Sequence, residues 1–188
     1  MRKSLITAVL AASLFILAAC GNEDEADTAG GYNDADVTFA QEMIPHHQQA
    51  IEMAGLAESR AESEEVRELA ADIEAAQGPE IETLTGWLES WGEDVPDEGM
   101  SGMDHGDMSS DDMTGMMTDD EMADLEATSG AEFDQMFLTM MIEHHEGAIE
   151  MAQTEQSEGE FPEAVAMAEE IEATQAEEIQ TMQDLLNS

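Results

Sequence analysis

The chain has almost no means of stapling itself and almost no positive charge. Its 188 residues include one cysteine, Cys20, so no intrachain disulfide can form and the fold must rest on its core. Lysine and arginine number 4 against 46 acidic residues, a formal net charge of −42. Phosphate backbones would repel such a chain, which excludes nucleic acid as a partner. Beyond residue 20 there is no long apolar run, hence no candidate spanning helix. The apolar–polar alternation of half-buried strands is also missing. Neither His-Glu-x-x-His nor Glu-x-x-His occurs. The first absence argues against a zinc protease and the second against the usual ligand spacing of di-metal carboxylate bundles.

What is present begins with an address. Arg2 and Lys3 precede a short apolar run, Leu5 to Leu17, and Leu17-Ala18-Ala19-Cys20 resembles a lipobox. Residues 1–20 therefore read as a lipoprotein signal peptide, with Cys20 as the lipidated first residue of the mature chain. That implies an extracytoplasmic protein whose only link to the membrane is its lipid anchor. Residues 21–33 are polar and Gly-rich, a flexible acidic tether. Residues 34–188 suffice for one domain. After Cys20 only Arg60 and Arg67 oppose the acids, leaving −44. Most of that charge reads as a solvated surface, of the kind suited to a saline habitat, and it attracts cations without choosing among them.

The domain is written twice. Residues 36–54 align without a gap to 134–152 at an offset of 98, with eleven of nineteen positions identical. Residues 66–84 align to 164–182 at the same offset, with eight of nineteen identical. Apolar periodicity is helical throughout, so each repeat is a helix pair. The four main helices are expected at about 34–58, 62–92, 131–157 and 161–187, with a short helix at about 118–128. Repeat one spans 34–92, a Met-rich linker 93–117, and repeat two 118–188. Short links within each pair predict an all-α, antiparallel four-helix bundle. Pro45 falls inside the first helix, where it removes a backbone bond and predicts a kink just before His46. The second copy has Glu143 there.

Four of the five histidines sit in the repeats, as His46-His47 and His144-His145. On a helical wheel both pairs flank the arc that should face the core, beside the small Ala50 and Ala148. A lone core histidine is usually structural; two adjacent pairs on two helices point to metal. On the facing helices Gln77 and Glu80, and again Gln175 and Glu178, fall inside the apolar arc. Buried polar groups need partners, so these four are expected to meet the histidines, orienting the rings or ligating metal directly. The linker adds Met100, Met103, His105, Met108, Met113, Met116 and Met117 without apolar periodicity. Thioether sulfur suits Cu(I) or Ag(I), so this loop is a separate candidate for metal capture.

The segments MIPHHQQAIEMA and FLTMMIEHHEGAIEMA, the later IEAxQxxEI segments and SGAEFD at 129–134 resemble a bacterial family, the domain of unknown function 305. The resemblance covers about residues 34–187. It implies a ferritin-like bundle. Some members are secreted or membrane-linked copper-binding proteins that aid copper resistance. By that resemblance Met43, His46, His47 and Met53, with Met141, His144, His145 and Met151, become the candidate ligands. The expectation is a non-enzymatic, membrane-anchored binder that sequesters Cu(I), with Cu(II) or silver as further cargo, or hands it to an unidentified partner protein. Binding should weaken below about pH 6, as histidine protonates near its ordinary pKa of about 6.5. The rivals are a ferritin-like di-metal carboxylate oxidoreductase and a structural or partner-binding lipoprotein without metal.

Overall fold

The structure is a computed structural model that describes residues 31–96 and 114–188. The signal peptide, Cys20, most of the tether, and Met100, Met103, His105, Met108 and Met113 lie outside the described residues. Five helices follow one another: α1 (Asp34–Arg60), α2 (Glu64–Trp91), α3 (Asp119–Ala127), α4 (Ala131–Glu158) and α5 (Pro162–Leu186). No strand occurs among the described residues, and no helix among them is long and apolar enough to cross a membrane.

The helix ends follow local chemistry. Asn33 caps α1 by accepting from the N–H groups of Ala35 and Asp36, while the Asp36 carboxylate accepts from the Asn33 N–H at 2.6 Å. This reciprocal box satisfies donors that the first turn would otherwise leave free. Thr118 and Glu121 repeat the arrangement on α3. Gly92 ends α2 at φ 79°, a left-handed conformation that glycine adopts without a Cβ penalty. Pro162 stands in the first turn of α5, where its missing N–H costs nothing. α1 continues through Pro45, and α2 likewise through Pro79. Repeat two has glutamates, Glu143 and Glu177, at both equivalent positions.

Each repeat folds as an antiparallel hairpin, α1 on α2 and α4 on α5, and the hairpins join through α1 against α4. These two central helices run antiparallel. The start of α1 meets the end of α4 through Asn33 Nδ2 donating to the Glu158 carbonyl at 2.8 Å. The end of α1 meets the start of α4 through the Gly130 N–H donating to the Arg60 carbonyl at 2.7 Å.

A pair of aspartates makes the seam reciprocal. Asp36 accepts from the N–H groups of Glu160 and Phe161, at the entrance to α5. Asp134, its equivalent 98 residues on, accepts from those of Glu62 and Ser63, at the entrance to α2, at 3.0 and 2.8 Å. Each repeat thus holds the turn of the other.

The core forms two apolar clusters. One gathers residues such as Met53, Val66, Ile73, Phe133, Phe137, Met141 and Met182. The other gathers Phe39, Met43, Leu84, Leu88, Ala152 and Ile171. Fully burying a side chain of this size contributes about 1.5–3 kcal/mol. The clusters break at one level in all four long helices: between Ile44 and Ala50, Ile73 and Leu84, Met141 and Ala148, and Ile171 and Met182.

Candidate metal centre

The gap between the clusters is a polar layer. It contains His46 and His47 from α1, Gln77 and Glu80 from α2, His144 and His145 from α4, and Gln175 and Glu178 from α5. All four imidazoles are fully buried, and both glutamines nearly so. The helical period places them there, since the same stripe that supplies Met43 and Ala50 to the core carries the histidine between them.

The seam between α1 and α4 brings the two repeats' first histidines together. The rings of His46 and His144 lie 3.7 Å apart, centroid to centroid, tilted by 40°. The second histidines turn outward to the flanking helices. His47 Nε2 meets Glu80 Oε2 at 2.8 Å, and His145 Nε2 meets Glu178 Oε2 at 2.7 Å. These carboxylates are 23 % and 16 % exposed, so each reaches from a dry ring towards water. A carboxylate accepts the Nε2–H and fixes that tautomer, which leaves Nδ1 with its lone pair free. Of the eight imidazole nitrogens, six are buried without a hydrogen-bond partner: both in His46, both in His144, and Nδ1 in His47 and His145. Gln77 Nε2 and Oε1 and Gln175 Oε1 are also buried without partners. Such groups cost about 1–3 kcal/mol each when left unpaired.

Electrostatics keep the inner rings neutral. Burial, then the neighbouring His47 and His145, lowers the His46 pKa to about 3, against a small opposing effect from the Thr114 carbonyl. That carbonyl approaches the ring without the geometry of a full hydrogen bond. Burial and the other three imidazoles push His144 well below its ordinary value. Neutral imidazoles keep lone pairs available to a cation. The sequence-based expectation of protonation near 6.5 therefore does not hold for these two rings, because periodicity locates a histidine on a face without measuring its dehydration.

The methionines divide. Met43 and Met141 are fully buried one turn before His46 and His144. Met53 and Met151 stand seven residues after those histidines, about 10 Å further along each helix axis at 1.5 Å per residue. Met53 lies in the first apolar cluster; Met151 is only partly buried and lines a surface cleft. Among the loop candidates, Met116 is partly exposed and Met117 packs into the first cluster. Gln49 holds that segment by two hydrogen bonds with the Met117 backbone, at 2.7 and 2.8 Å. Gly147, at the position equivalent to Gln49, holds it by close approach: a Cβ there would overlap the Thr114 carbonyl oxygen.

Among the described residues no three His, Cys, Asp or Glu side chains converge on one point. The polar layer thus offers imidazole nitrogens, with buried Met43 and Met141 one helical turn along the chain, while its carboxylates are engaged by His47 and His145. Sequence reasoning missed the aspartate clasps, although Asp36 and Asp134 are among the identical repeat positions. It also missed Glu155 and Pro79.

Comparison with known proteins agrees with this architecture. A DUF305 protein from Streptomyces coelicolor, described as secreted, is 33 % identical, with a TM-score of 0.71 over 81 % of this chain and 92 % of that one. A DUF305 fragment from Deinococcus radiodurans is 30 % identical, with a TM-score of 0.72 over 82 % and 97 %. CopM, in its Cu(II)-bound form, is 33 % identical, with a TM-score of 0.67 over 81 % and 95 %. CopM has also been solved with Cu(I), with silver and in the apo form. Among curated proteins none matches the chain. The profile of the domain of unknown function DUF305 matches residues 36–186, and the chain belongs to that family.

Proposed function

We propose that this protein binds a soft monovalent metal, Cu(I) with Ag(I) as its analogue, in the polar layer between the two repeats. The observation that carries the reading is the set of six buried, unpartnered imidazole nitrogens. A folded chain retains so many unsatisfied groups only where something compensates them, and a metal ion does so. His46 and His144 would be the inner donors, His47 and His145 would offer Nδ1 with their tautomers set by Glu80 and Glu178, and Met43 and Met141 are the adjacent sulfurs. The forms in which CopM has been solved support the choice of copper and silver.

The role is sequestration or transfer without chemistry on a substrate. The carboxylates engaged by the rings are the ones a di-metal oxidoreductase would need as ligands. An extracytoplasmic location is supported by the secreted relative and by the lipobox ending at Cys20, which would tether the bundle to the outer face of a membrane.

An anaerobic Cu(I) titration of residues 21–188 against a competing chelator tests the reading. Wild type should hold at least one Cu(I), and a variant with all four histidines changed to glutamine should hold it far more weakly while keeping its helical circular dichroism. Equal affinity in a folded variant would sink the polar layer as the site.

A further inference from the structure

The two ends of the α1–α4 groove are equivalent by the repeat, yet among the described residues a helix covers only one. α3 lies over the end made by the second half of α1 and the first half of α4, and its Leu125 is fully buried there. The opposite end is a cleft of about 410 Å³.

The repeats diverge at the end that no described helix covers. At the offset of 98, Phe133, Met140 and Ala57 belong to the covered cluster, whereas the open end has Ala35, Glu42 and Glu155 in their places. Met136 and Leu56, which pack against that cluster, are matched by Thr38 and Thr154. Loss of a lid alone would leave exposed apolar residues. Here the apolar residues have become small, polar or acidic.

Glu155 is the informative member. It is 1 % exposed and neither oxygen has a protein donor. The neighbouring Asp36 carboxylate already accepts from the N–H groups of Asn33, Glu160 and Phe161. A buried carboxyl beside another carboxyl needs a proton or a cation. Without metal Glu155 keeps a proton that it donates to Asp36, and an arriving cation would displace that proton. Glu42, Glu150 and Glu158 add charge around it, Met151 adds a thioether, and Thr114 lines the same cleft. The Thr114 carbonyl is also the backbone group that approaches His46, so one residue separates the cleft from the inner ring.

Resting on the metal-binding reading above, we propose that this cleft, centred on Glu155 with Glu42, Glu150 and Met151, is a cation-capture site and the entrance to the buried imidazoles. The carboxylates of Glu42, Glu150 and Glu158 raise the local cation concentration, and one thioether gives a soft ion a first foothold. Such a site accelerates arrival and release alike, leaving the equilibrium at the inner centre unchanged.

The test uses Ag(I) in nitrate buffer and stopped-flow ultraviolet absorption on the lipid-free chain, residues 21–188. The variant carries E42Q, E150Q and E155Q; E155A alone provides a second, because the other repeat already has Ala57 at that position. Uptake by the triple variant should slow about tenfold, within the range that charged clefts achieve, and its ionic-strength dependence should flatten. Affinity by chelator competition should stay within about threefold. A control neutralising Asp72, Glu82 and Glu89, exposed on α2, should keep the wild-type rate. Wild-type uptake in the cleft variants, or equal slowing in the control, overturns the entrance while leaving the inner centre standing. No silver binding by wild type overturns the inner centre and the entrance with it.

Discussion

His46 and His144 face one another across the seam of the two repeats, 3.7 Å between ring centroids, with no hydrogen bond to either ring. In the metal-free protein this contact is a liability: two polar rings dehydrated without compensation. Replacing His46 by leucine should therefore raise the melting temperature of the metal-free bundle. A gain of about 1–2 kcal/mol follows from removing one unsatisfied buried group, worth roughly 2–8 °C at this size. The same variant should lose most of the stabilisation that silver gives to wild type. Calorimetry with and without Ag(I) reads both effects, and a destabilised metal-free variant would contradict this account of the layer.

Glu80 and Glu178 govern the outer rings. Changing Glu80 to glutamine keeps the shape but replaces an acceptor-only carboxylate with an amide that can also donate, so the Nε2–H tautomer of His47 is no longer imposed. Metal affinity should fall about 10–100-fold with little change in helicity. Chelator competition measures the first and circular dichroism the second. The equivalent change at Glu178 should cost a similar factor, because the His145 contact has nearly the same length.

The pH dependence of stability has two opposed parts. Burial, reinforced by Asp36, raises Glu155 to about 8, so the folded state binds a proton that the unfolded chain releases near 4.5. Its stabilising contribution is full below 4.5 and is lost as pH rises to 8. The inner histidines act in the opposite sense. His46 titrates near 3 when folded against 6.5 unfolded, so its contribution is full above 6.5 and is lost as pH falls towards 3. Urea midpoints of the metal-free protein should therefore be highest between about pH 5 and 7. E155Q should remove the alkaline decline and leave the acid one. An unchanged alkaline slope would show that Glu155 does not carry it.

Asp134 is expected to matter as much as any apolar residue of the seam. D134A leaves the Glu62 and Ser63 N–H groups without their acceptor and should cost about 1–3 kcal/mol. D36A should cost at least as much, since it leaves the Asn33, Glu160 and Phe161 N–H groups without their acceptor and removes the partner of the Glu155 proton. Chemical denaturation of the two variants side by side gives the comparison.

Gly147 admits no side chain. A Cβ there meets the Thr114 carbonyl and Gly115, so G147A must displace the segment that runs from Thr114 into the core at Met117. A loss of about 1–3 kcal/mol is expected from such overpacking. Amide exchange in residues 114–118 should accelerate more than in α2 or α5.

Helix number, order and type were legible because fifty-nine residues of repeated, apolar-periodic sequence state them twice, as 34–92 and again near 131–187. The polar layer was legible too, since His46, Gln77, His144 and Gln175 break apolar stripes at one level. Which histidines would meet was not. Periodicity fixes a residue's angle on its own helix but not the crossing of α1 with α4, and that crossing decides that His46 meets His144 while His47 meets Glu80. The dehydration that pulls His46 to about 3 depends on the same crossing. Met117 misled for a different reason: it stands beside Gly115 and Met116 in a polar stretch, and only the Gln49 contacts and Gly147 draw it into the core.

The crossed aspartates also bear on how such a chain arises. A seam in which each half supplies the clasp for the other's turn has the symmetry of an isologous contact, the kind two identical molecules make. One hairpin pairing with a copy of itself would reproduce the α1–α4 crossing, both clasps and the central histidine contact. Joining two copies in a single chain frees the halves to drift apart, and α3, Glu155 and the two mid-helix prolines are where they have done so. Separate chains spanning residues 31–96 and 114–188 should accordingly find each other when mixed, with a helical signal greater than the sum of the parts.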